Sequence, residues 1–377
     1  MAKKGKKPTV IIGSPTYLPR QGGSATYFSN LMKKLHKKVN FVVYTCTVPD
    51  LPRHEKMEGY EIYRIQPFLV DHPKIIRYPI LPWFTFFQLL RLHIKYGPVI
   101  FHAHACGAYG YLISLYSKIF GIPQIKEVQD MSDAPYIIHM GKNIKWVSTG
   151  YTIEKQLIKF GVPKKHIITY PSLNPEIPRE KMKKLKPKEP KDGGKIELLC
   201  IAALRPYKGV DYLLQSMKIV QKKDKNIHCT VVGEGGMREE LEAYIKKHKL
   251  KNVTLRGFVE SYDDLLNMMA TCDALVLSSV SDEGNPRVIL ESFQFSRPVI
   301  ASAAGGTPEL IEDGVSGILT KPKDYKGFAQ AILKVSKDAK LRKKLGRGGK
   351  RFSDALPTWQ DLADEIYGEY MKIWKKY

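Results

Sequence analysis

The chain has 377 residues, which is enough for two domains of ordinary size, each with its own hydrophobic core. Hydrophobic residues make up 43% of the sequence, so wholesale disorder is excluded. The formal net charge is +24, from 61 Lys and Arg against 37 Asp and Glu, and it indicates either an anionic partner or a solvated, lysine-rich surface.

Short strand-like runs alternate with longer amphipathic stretches in the first half of the chain. The predicted strands are Val10–Ile12, Phe41–Tyr44, Val99–Phe101, Gln124–Val128 and Ile167–Tyr170. The predicted helices between them are Ser24–His36, Phe84–Tyr96, Tyr109–Phe120 and Tyr151–Phe160. This alternation is typical of a parallel sheet that is covered by helices on both faces.

Residues 173–195 interrupt the alternation, because they include four prolines and almost no large apolar side chain, and we predict a linker there. The alternation then restarts, with predicted strands at Ile196–Ala202, Ile227–Val232, Val253–Leu255, Ala274–Leu277 and Pro298–Ile300. An amphipathic pattern over residues 358–377 predicts a last helix. We therefore predict an α/β fold with two Rossmann-like domains, residues 1–172 and residues 196–357.

The charge is divided unevenly between these domains. Residues 1–172 carry 24 basic and 9 acidic side chains, a net charge of +15, whereas residues 196–377 carry 29 and 24, a net charge of +5.

The cysteines and the first residues bear on the compartment. None of the five cysteines forms a C-x-x-C pair, so we interpret them as small buried hydrophobic residues in a reducing compartment. The first residues lack the apolar stretch of a secretory signal, and no transmembrane helix is predicted. We expect a cytoplasmic protein whose first domain has an anionic partner.

The most informative segment is Ser281–Glu309, which begins where the predicted buried strand Ala274–Leu277 ends. Ligands of open α/β sheets bind at the carboxyl ends of the strands, where this segment begins. Asn285 is a good N-cap and Pro286 suits the first helical position, so a helix should start here and attract a phosphate. We group Asn285, Pro286 and the following Arg287 as donor-binding candidates.

Two glutamates flank this predicted helix start. Glu283 lies in the loop before it, and Glu291 lies one to two turns inside it, where the side chain leans back toward the N-terminus. A carboxylate in this position accepts a pair of hydroxyl hydrogen bonds, as from a ribose diol. Downstream, Gly305 and Gly306 allow the backbone to approach a ligand closely.

This segment resembles the E-x7-E pattern of retaining glycosyltransferases with the GT-B fold, most closely glycosyltransferase family 4 (group 1). The elements that follow it in the family appear here as SRPVI and GGTPE, with Ser296 and Arg297 in place of the usual glycine. The resemblance implies that Glu291 binds the donor ribose. It also implies that Glu283 contacts the transferred sugar or its phosphate.

A second match lies between a predicted strand and the helix that opens at Gly209. Arg205 and Lys208 are two cations at a helix start, an arrangement that suits a diphosphate and the charge that builds on a leaving group. The segment resembles the family's R-x-x-K-G motif, which has this role. The resemblance makes Arg205 and Lys208 catalytic candidates together with Glu283.

Glycine-rich turns supply further donor-binding candidates. Gly233 and Gly235 follow the strand Ile227–Val232, but their spacing is not that of a dinucleotide fingerprint, so no such cofactor is indicated. By resemblance this turn lines the nucleotide pocket. Gly22 and Gly23 resemble the family's flexible glycine loop over the donor phosphates.

The run FHAHAC at residues 101–106 resembles the family's H-A-H element. We expect His102 and His104 to point to opposite faces of the strand, one toward the ligand and one packed in the core. This arrangement argues against a metal pair. His104 is our candidate for a contact with the acceptor or the sugar. Gln129 stands where many relatives have a histidine, and Asp130 follows it. Glutamine hydrogen-bonds a sugar hydroxyl but does not titrate, so the sequence names no general base here.

The resemblance spans nearly the whole chain. It implies transfer of a hexose-type sugar, with retention, from a UDP- or GDP-sugar to a lipid-linked, glycan or small-molecule acceptor in a central cleft, with the last helix crossing back to the first domain. A nucleotide-sugar-binding protein without turnover, and a sugar epimerase or phosphorylase on the same fold, stay open as alternatives. We expect no metal, no cofactor and no nucleic-acid partner.

The stretch Ile80–Leu90 is rich in aromatic side chains and is flanked by Lys74, Arg77 and Arg91. Aromatic side chains between cations suit the interface of an anionic membrane. The same residues also suit a helix that packs into the core of the first domain, and the sequence leaves both interpretations open. If the stretch lies at a membrane interface, we predict salt-sensitive, peripheral association of the protein with the cytoplasmic face of the membrane.

Overall fold

The computed structural model describes residues 7–15, 17–18, 23–66, 74–104, 107–128, 144–170, 172–185, 187–281 and 283–376. The chain divides into two compact units. The first consists of Met1–Tyr170 together with Trp359–Tyr377, and the second is Pro171–Thr358. Each unit is built around its own sheet.

The first unit contains an eight-stranded sheet in the order β3-β4-β2-β1-β5-β6-β7-β8. Its strands are β1 (Thr9–Gly13), β2 (Asn40–Cys46), β3 (His54–Met57), β4 (Tyr60–Gln66), β5 (Ile100–His104), β6 (Gln124–Val128), β7 (Ile144–Ser148) and β8 (Ile167–Thr169). The strands pair in parallel, except that β3 and β4 form an antiparallel hairpin at one edge. The central strand β1 is buried along its whole length, as expected of a parallel strand covered on both faces.

Within the described ranges, the helices of the first unit that precede its last strand are α1 (Gly23–Leu35), α2 (Lys74–Tyr96), α3 (Gly107–Phe120) and α4 (Tyr151–Lys159). α2 and α3 cover one face of the sheet, where Leu89 and Tyr116 pack on Phe101 in a shared core. α2 begins earlier than predicted and continues through Pro79 and Pro82, which sequence rules treat as helix breakers.

The second unit contains six parallel strands in the order β11-β10-β9-β12-β13-β14. They are β9 (Ile196–Ile201), β10 (Ile227–Val232), β11 (Val253–Gly257), β12 (Ala274–Leu277), β13 (Val299–Ser302) and β14 (Gly317–Thr320). Its helices are α5 (Arg179–Lys184), α6 (Val210–Lys223), α7 (Arg238–His248), α8 (Tyr262–Thr271), α9 (Arg287–Gln294), α10 (Tyr325–Lys337) and α11 (Ala339–Asp354). In chain order of its own strands, this sheet reads 3-2-1-4-5-6, the Rossmann arrangement.

The segment predicted as a linker, residues 173–195, is part of the second unit rather than a free connection. It contains α5, and its few apolar side chains, Ile177, Met182 and Leu185, pack against the core of this unit. Lys188 is also held, because its Nζ lies 2.6 Å from Oδ2 of the buried Asp273. Residues 173–195 are therefore an irregular segment that packs on the second unit, and composition alone does not predict these contacts.

The last helix, α12 (Trp359–Trp374), returns to the first unit and packs on α1. The predicted apolar stripe is buried there at Trp359, Leu362, Ile366 and Tyr370. None of the helices in the described ranges is long and apolar enough to cross a membrane.

Candidate functional site

The sheet of the second unit has a topological switch point between β9 and β12. These strands are neighbours, but the chain leaves β9 toward β10 on one side and leaves β12 toward β13 on the other. Such a divergence opens a crevice at the carboxyl ends of the strands, where open α/β sheets bind ligands. The loops at this edge are residues 202–209, after β9, and residues 278–286, after β12.

An ion pair joins these two loops. The Nζ atom of Lys208 lies 2.6 Å from Oε1 and 2.8 Å from Oε2 of Glu283, and Ser279 Oγ donates a hydrogen bond of 2.5 Å to Oε2. The Glu283 side chain is nearly buried. The loop backbones are tied as well, since Ser278 Oγ donates to the carbonyl of Gly209 at 2.7 Å. The sequence predicts Lys208 and Glu283 as ligand contacts but does not reveal that they pair with each other.

Arg205 differs from Lys208 in its electrostatic surroundings. Its side chain is exposed, and within the described ranges no carboxylate lies within ion-pair distance of it. Because Glu283 compensates the charge of Lys208, Arg205 supplies the net positive charge of this loop. An anion that reaches the crevice is therefore attracted chiefly by Arg205.

Gly305 and Gly306 pack against the loop that carries Glu283. The N–H of Gly306 donates to the carbonyl of Glu283 at 2.8 Å. A Cβ atom added to Gly305 would lie 1.9 Å from that same carbonyl oxygen, and the φ of Gly305 is +54°. In the structure the two glycines thus support the backbone that positions Glu283, a role that their predicted approach to a ligand does not include.

Gly233 and Gly235 make a similar close contact with the loop after β9. A Cβ on Gly233 would lie 1.9 Å from the carbonyl oxygen of Ala202, and one on Gly235 would lie 2.4 Å from that of Leu204. Leu204 N–H in turn donates to the carbonyl of Glu234 at 2.9 Å. The turn after β10 therefore lies directly beside the loop that carries Arg205.

The start of α9 corrects one prediction. Asn285 does not cap this helix: the cap position is Pro286, with φ −71° and ψ 90°, and no side chain bonds to the first free amides. Asn285 instead donates from Nδ2 to Ser172 Oγ at 2.8 Å, so its amide is engaged elsewhere. Arg287 is the first helical residue, one position later than predicted.

Glu291 lies one turn inside α9 and is buried. Tyr262, at the start of α8, donates a hydrogen bond of 3.2 Å from Oη to Glu291 Oε1. Burial raises the pKa of Glu291, while the charge of Arg287 and the bond from Tyr262 oppose the shift. Sequence reasoning missed Tyr262, because nothing in one sequence pairs a residue of one helix with a glutamate of the next.

The first unit has its own switch point between β1 and β5, and His104 stands at the carboxyl end of β5. Its Nδ1 lies 2.8 Å from Oε2 of Glu127, a fully buried carboxylate on β6. Sequence reasoning missed Glu127. The available signal was a charged residue in the otherwise buried run QIKEV.

His102 is fully buried, with its Nδ1 2.6 Å from Tyr370 Oη on α12. Burial lowers the pKa of His102 to about 3. The prediction that His102 and His104 point to opposite faces is wrong, because side chains two positions apart lie on the same face of a strand. The two histidines differ in depth along β5 instead, since His104 reaches the end of the strand.

Of the remaining site candidates of the first unit, only Gly23 lies within the described residues. Gly23 is the first residue of α1. Gly22, Gln129 and Asp130 lie outside the described residues, and their roles stay predictions.

Comparison with known proteins places this geometry in a family. Residues 181–352 match the family model described as glycosyl transferases group 1. This range covers most of the second unit, which therefore contains a group 1 glycosyltransferase domain.

Individual relatives agree with this assignment. An uncharacterized glycosyltransferase of Methanocaldococcus jannaschii is 31% identical over 175 residues, 46% of this chain and 48% of that relative. A second one from the same organism is 25% identical over 390 residues, 94% of this chain and 95% of the relative. Alpha-D-kanosaminyltransferase of Streptomyces kanamyceticus is 27% identical over 177 residues, 47% of this chain and 45% of the relative. The first and third matches thus span about half of each relative.

Solved structures resemble the chain over nearly its full length. Sucrose-phosphate synthase from Thermosynechococcus elongatus superposes with a TM-score of 0.79 at 18% identity, covering 99% of this chain and 100% of that one. HepE from Anabaena, solved in complex with UDP, gives a TM-score of 0.73 at 16% identity, covering 97% and 100%. These likenesses define the fold as GT-B.

Proposed function

We propose that the chain transfers a hexose-type sugar, with retention of the anomeric configuration, from a UDP- or GDP-sugar to a glycan, lipid-linked or small-molecule acceptor. The observation that carries the proposal is the cluster at the β9–β12 switch point. Arg205 and the Lys208–Glu283 pair lie at the carboxyl edge of this sheet, and α9 starts beside them with its amide dipole.

The donor diphosphate is the natural partner of the two cations. Arg205 offers an uncompensated guanidinium, and Lys208 is held in a fixed position by Glu283. Both donate charge-assisted hydrogen bonds, which strengthen as negative charge builds on the leaving phosphate. Their contribution should therefore be larger in the transition state than in the ground state.

The donor ribose is the proposed partner of Glu291. A buried carboxylate accepts two hydroxyl hydrogen bonds, and Tyr262 already orients it through Oε1. The structural neighbour HepE was solved in complex with UDP, which supports a uridine diphosphate sugar as the first donor to test. Retention is supported by the E-x7-E resemblance of Glu283 and Glu291.

In the first unit we propose that His104 contacts the acceptor or the transferred sugar. Glu127 fixes the ring of His104, since a buried carboxylate accepts from Nδ1 and thereby selects the tautomer. Gln129 and Asp130 follow β6 in the sequence and remain predicted sugar contacts. The proposed place of work is peripheral, at the cytoplasmic face of a membrane.

A thermal-shift panel with UDP-, GDP- and ADP-sugars tests the donor. A ligand that binds the folded state raises the melting temperature by mass action, so a UDP- or GDP-sugar should raise it and an ADP-sugar should not. A turnover assay with the same sugar separates transfer from binding alone. Stabilisation without hydrolysis or transfer would favour the binding-protein alternative, and a full panel without stabilisation would contradict the proposal.

A further inference from the structure

A cavity of about 310 Å³ lies between α2 and the β3–β4 hairpin, outside the proposed donor site. Basic side chains surround it: Arg53, His54, Arg91 and Lys95. Glu61 compensates two of them, since Glu61 Oε2 lies 2.7 Å from His54 Nε2 and 3.9 Å from Lys95 Nζ.

The two arginines are not compensated in this way. Arg53 and Arg91 have no carboxylate partner among the described residues. The buried Oε1 of Gln88, on the same wall, accepts no hydrogen bond from any described group. Two guanidinium groups and an amide acceptor at one cavity suit a phosphate that also carries a hydroxyl.

The surface next to this cavity is apolar. On α2, Trp83 is 67% exposed, Phe87 60% and Ile94 76%, and these side chains lie on one stripe of the helix. The pocket-lining side chains of α2 lie on the adjacent stripe. α3 packs against the other flank of α2, where Phe86 contacts Tyr116, and it exposes Leu115 and Ile119. The outer faces of α2 and α3 thus form a continuous apolar surface, which we name the α2–α3 face.

The charges on the two helices of this face have a single sign. From His72 to Lys126 the sequence contains no Asp or Glu, while α2 and α3 together carry five Lys and Arg. An interface with another protein is usually depleted in lysine and rimmed by polar groups. Cations around exposed aromatic side chains instead suit the headgroup region of an anionic bilayer.

We propose that the α2–α3 face docks on an anionic bilayer, with a headgroup phosphate between Arg53 and Arg91 and with Trp83 and Phe87 in the interfacial layer. The proposal deepens the membrane part of the proposed function, and it identifies the surface that would bring a lipid-linked acceptor to the first unit. It does not depend on the donor site.

Co-sedimentation with vesicles tests it, with phosphatidylglycerol–phosphatidylcholine mixtures compared against pure phosphatidylcholine. The wild-type chain should bind the anionic vesicles, and salt should release it. R53Q/R91Q should lower the partition coefficient about 30-fold, the factor for removing two surface cations. W83A/F87A should lower it on anionic vesicles at every salt concentration, because it removes the apolar contribution.

Matched controls come from α4, at the far edge of the same sheet. K155Q/K159Q removes two exposed cations, and I158A removes an exposed apolar side chain. β8, beside α4, lies six strands from β4, roughly 29 Å at the usual strand spacing, which is beyond the Debye length of about 8 Å. These variants should bind as the wild type does.

Three results would overturn the proposal. The first is that the wild type does not bind anionic vesicles. The second is that the α4 controls lose as much binding as R53Q/R91Q, which would indicate bulk charge alone. The third is that the wild type forms a dimer without lipid and W83A/F87A abolishes it, which would assign the face to a second copy of the chain. Donor-induced thermal shifts, measured on the same variants, keep a failure here distinct from a failure of the proposed transfer.

Discussion

Lys208 and Glu283 illustrate how two residues of one motif depend on each other. Removing the ammonium in Lys208→Met leaves a nearly buried carboxylate, with Ser279 as its remaining hydrogen-bond donor among the described residues. We expect the variant to lose about 1–3 kcal/mol of unfolding free energy, the usual cost of an unsatisfied buried polar group. The double variant Lys208→Met/Glu283→Gln should recover part of it, because the buried charge is gone.

Urea unfolding of the second unit measures this coupling. Lys222→Met, at an exposed position of α6, is the control for removing a lysine and should be near neutral. A double variant no more stable than Lys208→Met would show that the ion pair does not couple these residues.

Glu291 gives a prediction about pH. Burial raises the pKa of this carboxyl above its ordinary value of 4.5, and the ionised form is the one that accepts the ribose hydroxyl groups. Donor affinity should therefore fall on acidification, beginning at a higher pH than for an exposed glutamate. Glu291→Gln should weaken UDP binding by about 1–3 kcal/mol and remove this part of the pH dependence.

Calorimetric titration with UDP between neutral and mildly acidic pH makes the comparison. The same pH slope in Glu291→Gln as in the wild type would assign the titration to another group and contradict the proposed ribose contact. Tyr262→Phe keeps the carboxylate but removes its hydrogen-bond donor, so it should keep the slope.

At the residue scale, motif spacing locates candidates but not their partners. Arg205, Lys208, Glu283 and Glu291 could be found because their neighbours in sequence carry the pattern. Their partners come from other segments, as Tyr262 does, and one sequence holds no information on which segments meet. The missed cap at Pro286 has the same origin, since Asn285 bonds to Ser172, far away in the chain.

At the scale of elements, the turn after β10 depends on glycine. Gly233→Ala would place a Cβ 1.9 Å from the carbonyl oxygen of Ala202, at a φ of +141° that L-residues rarely adopt. We expect a loss of about 1–3 kcal/mol in stability, from overpacking and displacement of the loop that carries Arg205. Gly236→Ala is the matched control, because a Cβ there meets nothing within 4 Å.

Thermal unfolding with and without UDP measures both effects. Gly233→Ala should lower the melting temperature and reduce the stabilisation by UDP, whereas Gly236→Ala should change neither. Equal behaviour of the two variants would mean that the close contact at Gly233 is not required for the site.

Elements buried on both faces could be predicted from sequence, whereas edge elements could not. β12 is a continuous apolar run, and β1 and β9 are apolar over most of their length, with Glu197 as the charged residue of β9; such runs favour buried strands. β3 reads HEKM and is largely exposed at the sheet edge, so it lacks the apolar alternation that marks a strand. Its strand character comes from pairing with β4, a tertiary contact rather than a local preference.

At the scale of the whole molecule, we propose that positive charge from the protein itself takes the place of a divalent cation. Arg205, Lys208 and the start of α9 are the groups proposed to stabilise the leaving diphosphate. We expect transfer to proceed at an unchanged rate in excess EDTA, and the product to keep the anomeric configuration of the donor.

An assay with and without added magnesium, read by NMR of the anomeric proton, checks both statements. Strict dependence on magnesium or manganese would contradict the assigned role of these cations. An inverted product would contradict the retaining mechanism while leaving donor binding untouched.

The return of α12 to the first unit has a consequence for synthesis on the ribosome. Tyr370 bonds to His102 of β5 and Trp359 packs on Tyr27 of α1, yet both residues of α12 are made only after the whole of Pro171–Thr358. At translation speeds of about 5–20 residues per second, the residues that α12 contacts stay uncovered for roughly 10–40 s. We therefore expect the nascent first unit to expose these surfaces during that interval, and the second unit is the first part of the chain that can finish folding.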